Sequence, residues 1–231
     1  MNEKVIGILG GMGPYATIDF MRILLDITPA KKDWDHIRTI VDSNTKLPSR
    51  TRAIVYNEKS PYQGMLESCL RLEKYPVDAI VIPCNSASYW VPDLQKKIDI
   101  PIISIINSTV SALKENKSCK RVVVFGAMTT FLKKLYKDPI LKEGIDYIDI
   151  NEKAQNFVIE IIELIKMQGV LSELIKKKFV ELVSYVKERE EFDTLILGCT
   201  ELSIFKDFKI PDVVIFDSSS ELAKHTLSFS N

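Results

Sequence analysis

Two stretches of this chain align without a gap. Asp78-Ala-Ile-Val-Ile-Pro-Cys84-Asn-Ser-Ala-Ser88 lies over Asp193-Thr-Leu-Ile-Leu-Gly-Cys199-Thr-Glu-Leu-Ser203. In each, an apolar run with no alternation stops at Pro or Gly, a cysteine follows, and small polar residues come next. Such a run reads as a strand buried on both faces, which places it in a parallel sheet of an α/β protein. A second pair supports the first: Ile8-Leu9-Gly10-Gly11-Met12 resembles Val124-Phe125-Gly126-Ala127-Met128. Both offsets are close to half of the 231 residues, so the chain reads as two copies of one α/β unit. Ligand sites in parallel sheets lie beyond the carboxyl ends of the strands. One strand-end cysteine per copy therefore predicts two thiols facing each other across a cleft between the copies. The expected division is a first α/β domain over residues 1–107, with 210–231 packing back on it, and a second over 108–209.

Composition bounds the function classes. Lys+Arg and Asp+Glu are both 31, a balance that argues against a strongly cationic nucleic-acid surface. No apolar run approaches the roughly 20 residues that a membrane span requires. The start, MNEKVIGILGGMGP, enters a strand directly without a small-residue cleavage site, so the expected compartment is the cytoplasm. The four cysteines show no CxxC and only two histidines, His36 and His225, accompany them, an inventory that predicts no metal site. A disulfide is disfavoured in a reducing compartment. Cys69 falls in a helical pattern with Met65, Leu66, Leu70 and Leu72 and reads as an inert buried thiol; Cys119, in a Lys-rich turn, has no assigned role.

Along the chain, Val5–Leu9 predicts a strand and Tyr15–Asp26 a helix, joined by a glycine-rich turn. Glycines permit close backbone approach to a ligand, and Pro14 suits the first helical position, leaving N–H groups free for an anion. Gly11-x-Gly13-x-x-Ala16 also fits the loose dinucleotide fingerprint, but the acidic residue about 20 positions on is missing, so an anion-holding turn for a small carboxylate is preferred. Arg38–Val41 predicts the next strand, followed by a loop carrying Arg50 and Arg52; a guanidinium there is either a solvated charge or a bidentate fork for a carboxylate. Helices are expected at Gly64–Lys74 and from Trp90 to Ile98, and a strand at Ile102–Ile106. The second copy is expected to open on the helix Ser108–Lys117 and continue through the strand Arg121–Phe125. Thr129 and Thr130 in the following turn either cap the helix Phe131–Lys137 or bond a ligand. Long helices follow at Glu152–Met167 and Leu171–Glu190. Lys166 stands near the end of the first, where a cation has at least a dipole role. The strands Thr194–Leu197 and Val213–Phe216 and the helix Ser218–Phe229 complete the chain.

GGMGPYAT (Gly10–Thr17), PCNSA (Pro83–Ala87) and GCTEL (Gly198–Leu202) resemble the signature segments of the aspartate/glutamate racemase family, and GGMGP resembles its aspartate racemase branch. The resemblance spans the whole chain. It implies a cofactor-independent enzyme that inverts an amino acid at Cα, with Cys84 and Cys199 as the catalytic pair. It implies that Arg50, in a PSR segment, holds the side-chain carboxylate. Asn85, Ser86, Thr130 and Thr200 would bind the α-carboxylate and amino group, and Met12 and Lys166 complete the substrate-binding set. It further implies a homodimer whose partner is otherwise only a small molecule, aspartate or glutamate. Where the family usually reads PCNTAH this chain has Ser86 for Thr and Ser88 for His, the second removing a proton partner near Cys84; Ala127 stands where the family often has Thr.

The chemistry expected of such a pair is two-base proton transfer. One thiolate removes the Cα proton from one face and one thiol delivers a proton to the other; the free thiol pKa of about 8.5 leaves either state accessible. Helix N-termini after each cysteine would favour the thiolate. A strand-end cysteine taken alone reads as packing, and Glu201 as a helix-start charge. Three alternatives stand beside racemisation: a sibling isomerase or decarboxylase of dicarboxylates, a non-catalytic amino-acid-binding relative, and a dinucleotide-dependent oxidoreductase.

Overall fold

A computed structural model describes residues 3–169 and 171–230. Among the described residues, eight strands form two four-stranded, all-parallel sheets. In chain order the elements of the first part are β1 (Ile6–Gly10), α1 (Pro14–Ile27), β2 (Thr39–Ser43), α2 (Arg50–Val55), α3 (Tyr62–Glu73), β3 (Ala79–Val81), α4 (Val91–Gln95), β4 (Ile102–Ile103) and α5 (Ile105–Glu115). There follow β5 (Arg121–Gly126), α6 (Met128–Leu132), α7 (Lys137–Lys142), β6 (Asp146–Ile148), α8 (Glu152–Gln168), α9 (Glu173–Lys187), β7 (Thr194–Gly198), β8 (Val214–Asp217) and α10 (Ser218–Ser230). The strand orders are β2-β1-β3-β4 and β6-β5-β7-β8, the same topology twice. The predicted α/β class with two sheets flanked by helices is thus the observed one.

The physical reasons repeat as well. β1, β3 and β7 are buried at every position, as runs covered on both faces must be. The aspartates that open the two aligned segments bond in the same way. Asp78 accepts a hydrogen bond from the Val5 backbone N–H at 2.7 Å, and Asp193 accepts from the N–H groups of Lys120 at 3.0 Å and Arg121 at 3.2 Å. Each carboxylate therefore satisfies backbone donors where the neighbouring central strand begins.

The chain divides into two compact units, one through Ser108 together with the stretch from Ser219, the other Thr109–Ser218. The first unit ends inside α5. Residues 210–218 belong with the second unit rather than the first, because β8 pairs with β7 in register from Thr194↔Val214 to Leu197↔Asp217. Only the closing helix returns to the first. Each unit has its own core. In the first, Leu9, Met65, Leu72, Ile80 and Leu94 are buried together. In the second, Val123, Phe125, Val158, Phe179, Leu182 and Leu195 are.

Other differences are local. Arg50 and Arg52, expected on a loop, lie in α2, capped by Ser49, whose Oγ accepts from the Arg52 N–H. The segments after both cysteines are short 3₁₀ turns, Asn85–Tyr89 and Thr200–Phe205, not α-helices. β6, too short to show a period, is an edge strand with no counterpart in the sequence-based expectation.

Candidate active site

The first unit gathers five of the expected residues near the end of β3. Cys84 is 7% exposed and caps the 3₁₀ turn with extended backbone, φ −156° and ψ 111°. Its carbonyl accepts from the Ala87 N–H at 3.2 Å, which closes the turn and buries Asn85 and Ser86 beside it. Met12 shares a buried cluster with Cys84, Leu9, Leu47 and Ala87. The turn that carries Met12 needs glycine at position 11: φ is +84°, and a Cβ would lie 2.4 Å from the Asn44 carbonyl carbon. The Gly11 N–H donates to Thr17 Oγ1 at 2.9 Å, tying the turn to α1. Arg50 begins α2, which packs against the Cys84 turn. Its guanidinium donates to the Pro48 carbonyl at 3.1 Å, so the side chain is held half-buried rather than loose in solvent.

The second unit gathers the others at the ends of β5 and β7. Cys199, also 7% exposed, has the same extended backbone as Cys84, φ −144° and ψ 132°, and its carbonyl accepts from the Leu202 N–H at 2.9 Å. The two cysteines thus stand at one topological position, after the strand that follows the central strand on the same side of each sheet. Thr129 and Thr130 lie on α6, beyond the end of β5. Both hydroxyls are buried, and neither has a hydrogen-bond partner. A buried hydroxyl without a partner costs free energy, on the order of 1–3 kcal/mol, that a bound polar ligand returns. α8 reaches this end of the sheet through Gln155, which donates to the Gly126 carbonyl at 2.9 Å, and it brings Lys166 in its last turn.

Sequence reasoning undervalued Glu201. The Cys199 thiol donates to Glu201 Oε2 at 2.9 Å, Thr200 Oγ1 donates to the same oxygen at 3.4 Å, and Lys166 Nζ lies 3.4 Å from Oε1. Burial first, then the charge of Glu201 and its hydrogen bond, raise the Cys199 thiol well above its ordinary range; Lys166 and a backbone hydrogen bond pull the other way. The expectation of a helix-stabilised thiolate at Cys199 is therefore reversed: at neutral pH this sulfur carries its proton. The other two cysteines stand apart by position, away from the aligned strand ends. Cys69 is fully buried in α3 and pushed up to about 12, by burial first and then by Glu73 and Asp42. Cys119 is buried as well, and among the described residues none of the four cysteines forms a disulfide.

Two buried strand-end cysteines in a duplicated parallel α/β fold define a class. The chain belongs to the Asp/Glu/Hydantoin racemase family, whose pattern it matches over residues 9–226. Among its relatives is the broad specificity amino-acid racemase of Bacillus subtilis (strain 168), 27% identical over 228 residues, 97% of each chain. A solved aspartate racemase from Picrophilus torridus superposes with a TM-score of 0.87 at 26% identity, covering 98% of this chain and 94% of that one. The glutamate racemase of Francisella tularensis, solved in complex with D-glutamate, superposes with a TM-score of 0.70 at 25% identity over 99% of this chain and 81% of the other. Among the described residues no helix is long and apolar enough to cross a membrane.

Proposed function

We propose that this chain is a cofactor-independent amino-acid racemase that interconverts L- and D-aspartate, with glutamate the neighbouring candidate. Cys84 and Cys199 act as the two bases on opposite faces of Cα. The observation that carries the reading is the repetition itself: each unit places a buried cysteine after the same strand, with the same extended backbone, at the head of a 3₁₀ turn. A packing role for either cysteine gives no reason for the duplicate. In this scheme the carbanion spreads into the α-carboxylate, bound by Asn85, Ser86, Thr130 and Thr200, and the unpartnered Thr130 hydroxyl supports that assignment. Arg50, already steadied by Pro48, holds the distal carboxylate. The substrate preference follows the likeness to an aspartate racemase.

The test is deuterium wash-in at Cα. Incubated in D₂O with L- or D-aspartate, the wild type exchanges the Cα hydrogen and interconverts the enantiomers; Cys84→Ala and Cys199→Ala each lose interconversion. Racemisation that persists in both variants rejects the two-thiol scheme. A wider substrate range is the second reading, favoured by the relative of broad specificity that matches end to end; the same assay run over neutral amino acids decides it. The protein is read as a cytoplasmic homodimer, which sedimentation of the purified chain checks for the assembly.

A further inference from the structure

Glu201 is arranged around one sulfur. Its carboxylate, with a side chain only 16% exposed, accepts from Cys199 and Thr200 through Oε2 and meets Lys166 through Oε1. Glu201 is the second residue of the 3₁₀ turn that Cys199 caps, and its side chain turns back to the sulfur. Lys166 comes from the far end of α8, on a side chain 57% exposed, and holds the carboxylate from the other oxygen. The buried phenol of Tyr136, ahead of α7, also interacts with Cys199, and it in turn feels Asp217 of β8, which accepts from Ser203. Among the described residues, Lys166 is the cation that acts on the thiol.

We propose that Glu201 is a positioning residue that keeps the proton on Cys199 and so makes Cys199 the resting acid of the pair. The proposal rests on the assignment of Cys199 as a reacting group. In the step, the S–H bond of Cys199 breaks, its proton goes to the carbanionic Cα, and the electron pair stays on sulfur. The thiolate so formed faces the Glu201 carboxylate. Their repulsion makes it a strong base, fit to take the Cα proton of the opposite enantiomer and restore the S–H bond. One carboxylate therefore gives Cys199 both its resting state and its basicity in the reverse direction. In the aligned Cys84 segment the position of Glu201 is held by Ser86.

The experiment follows the rate of iodoacetamide modification at Cys199 against pH, read by peptide mass spectrometry on the full-length protein, with Cys84 followed in the same samples. Glu201→Gln keeps the volume and an oxygen acceptor but removes the charge. Its Cys199 profile shifts to lower pH by about one unit, a roughly tenfold faster reaction at a fixed pH below the transition. Glu201→Asp follows the wild type. Lys166→Met, which removes the opposing cation, shifts the profile upward and keeps the proposal testable if the Gln variant folds poorly. A Gln profile that superposes on wild type, or a Met profile that moves down, overturns the assignment. Racemisation is scored in parallel: the alkaline limb of kcat/KM reports loss of the pair's last proton and moves down with Glu201→Gln. If the alkylation profile shifts but wild type racemises nothing, the racemase reading alone fails; if wild type racemises and the profile stays put, the Glu201 assignment alone fails.

Discussion

At the scale of single residues, the backbone at Gly11 makes the sharpest demand in the first unit. Its φ of +84° is open to glycine and strained for any L side chain, and the space a Cβ would fill is taken by the backbone of Asn44 at 2.4 to 2.7 Å. Backbone cannot swing aside as a long side chain does. Gly11→Ala is therefore expected to destabilise by more than the ~1 kcal/mol that the same change gains at a compatible position, and to shift the turn that carries Met12 into the Cys84 cluster. Urea denaturation measures the first effect and the KM for aspartate the second. A stability within error of wild type would show that the turn yields at little cost.

Elements reveal a link between core and chemistry in the second unit. Phe179 of α9 stacks on Phe205 with ring centroids 3.8 Å apart and planes 10° from parallel, and it meets Phe208 edge-on at 5.3 Å. Phe205 is the last residue of the turn that Cys199 opens. Phe179→Ala should thus cost about 3–5 kcal/mol and also loosen the turn that sets the Cys199–Glu201 geometry. Thermal unfolding and Cα exchange are expected to fall together; a destabilised variant with unchanged exchange would separate the core from the site. The same level explains what the sequence disclosed. Buried strands have no polar face, so their apolar runs and the cysteines at their ends stood out as a repeat. α2 did not, because Arg-Thr-Arg-Ala-Ile-Val shows no helical period, and Ser49 as cap was its one local sign. Glu201 was visible only as a charge at the start of a turn. That its carboxylate turns back onto the sulfur is a matter of side-chain conformation, and that Lys166 meets it depends on α8 packing beside that turn, a tertiary fact with no local trace.

The whole molecule is threaded so that its last helix belongs to its first unit. The chain leaves that unit inside α5, builds the second sheet, and returns at Ser219. α10 is fastened there by side chains from widely separated parts of the sequence. Ser108 Oγ lies 3.0 Å from His225 Nδ1, Lys4 donates to the Phe229 carbonyl and sits over its ring, and Leu222 and Ala223 are fully buried. Stability should therefore follow packing, not order along the chain. Leu222→Ala opens a cavity worth about 2–5 kcal/mol, and the loss is expected in β1 and β3, more than a hundred residues upstream, ahead of β7, which directly precedes the turn leading to β8 and α10. Hydrogen exchange followed by mass spectrometry resolves the two. At 2 kcal/mol, protection of the β1 and β3 amides falls about 30-fold while that of β5 and β7 changes less, since every 1.4 kcal/mol is tenfold. Protection lost first in β5 and β7 would mean that α10 supports the second sheet, and the division of the chain at Ser218 would have to be redrawn.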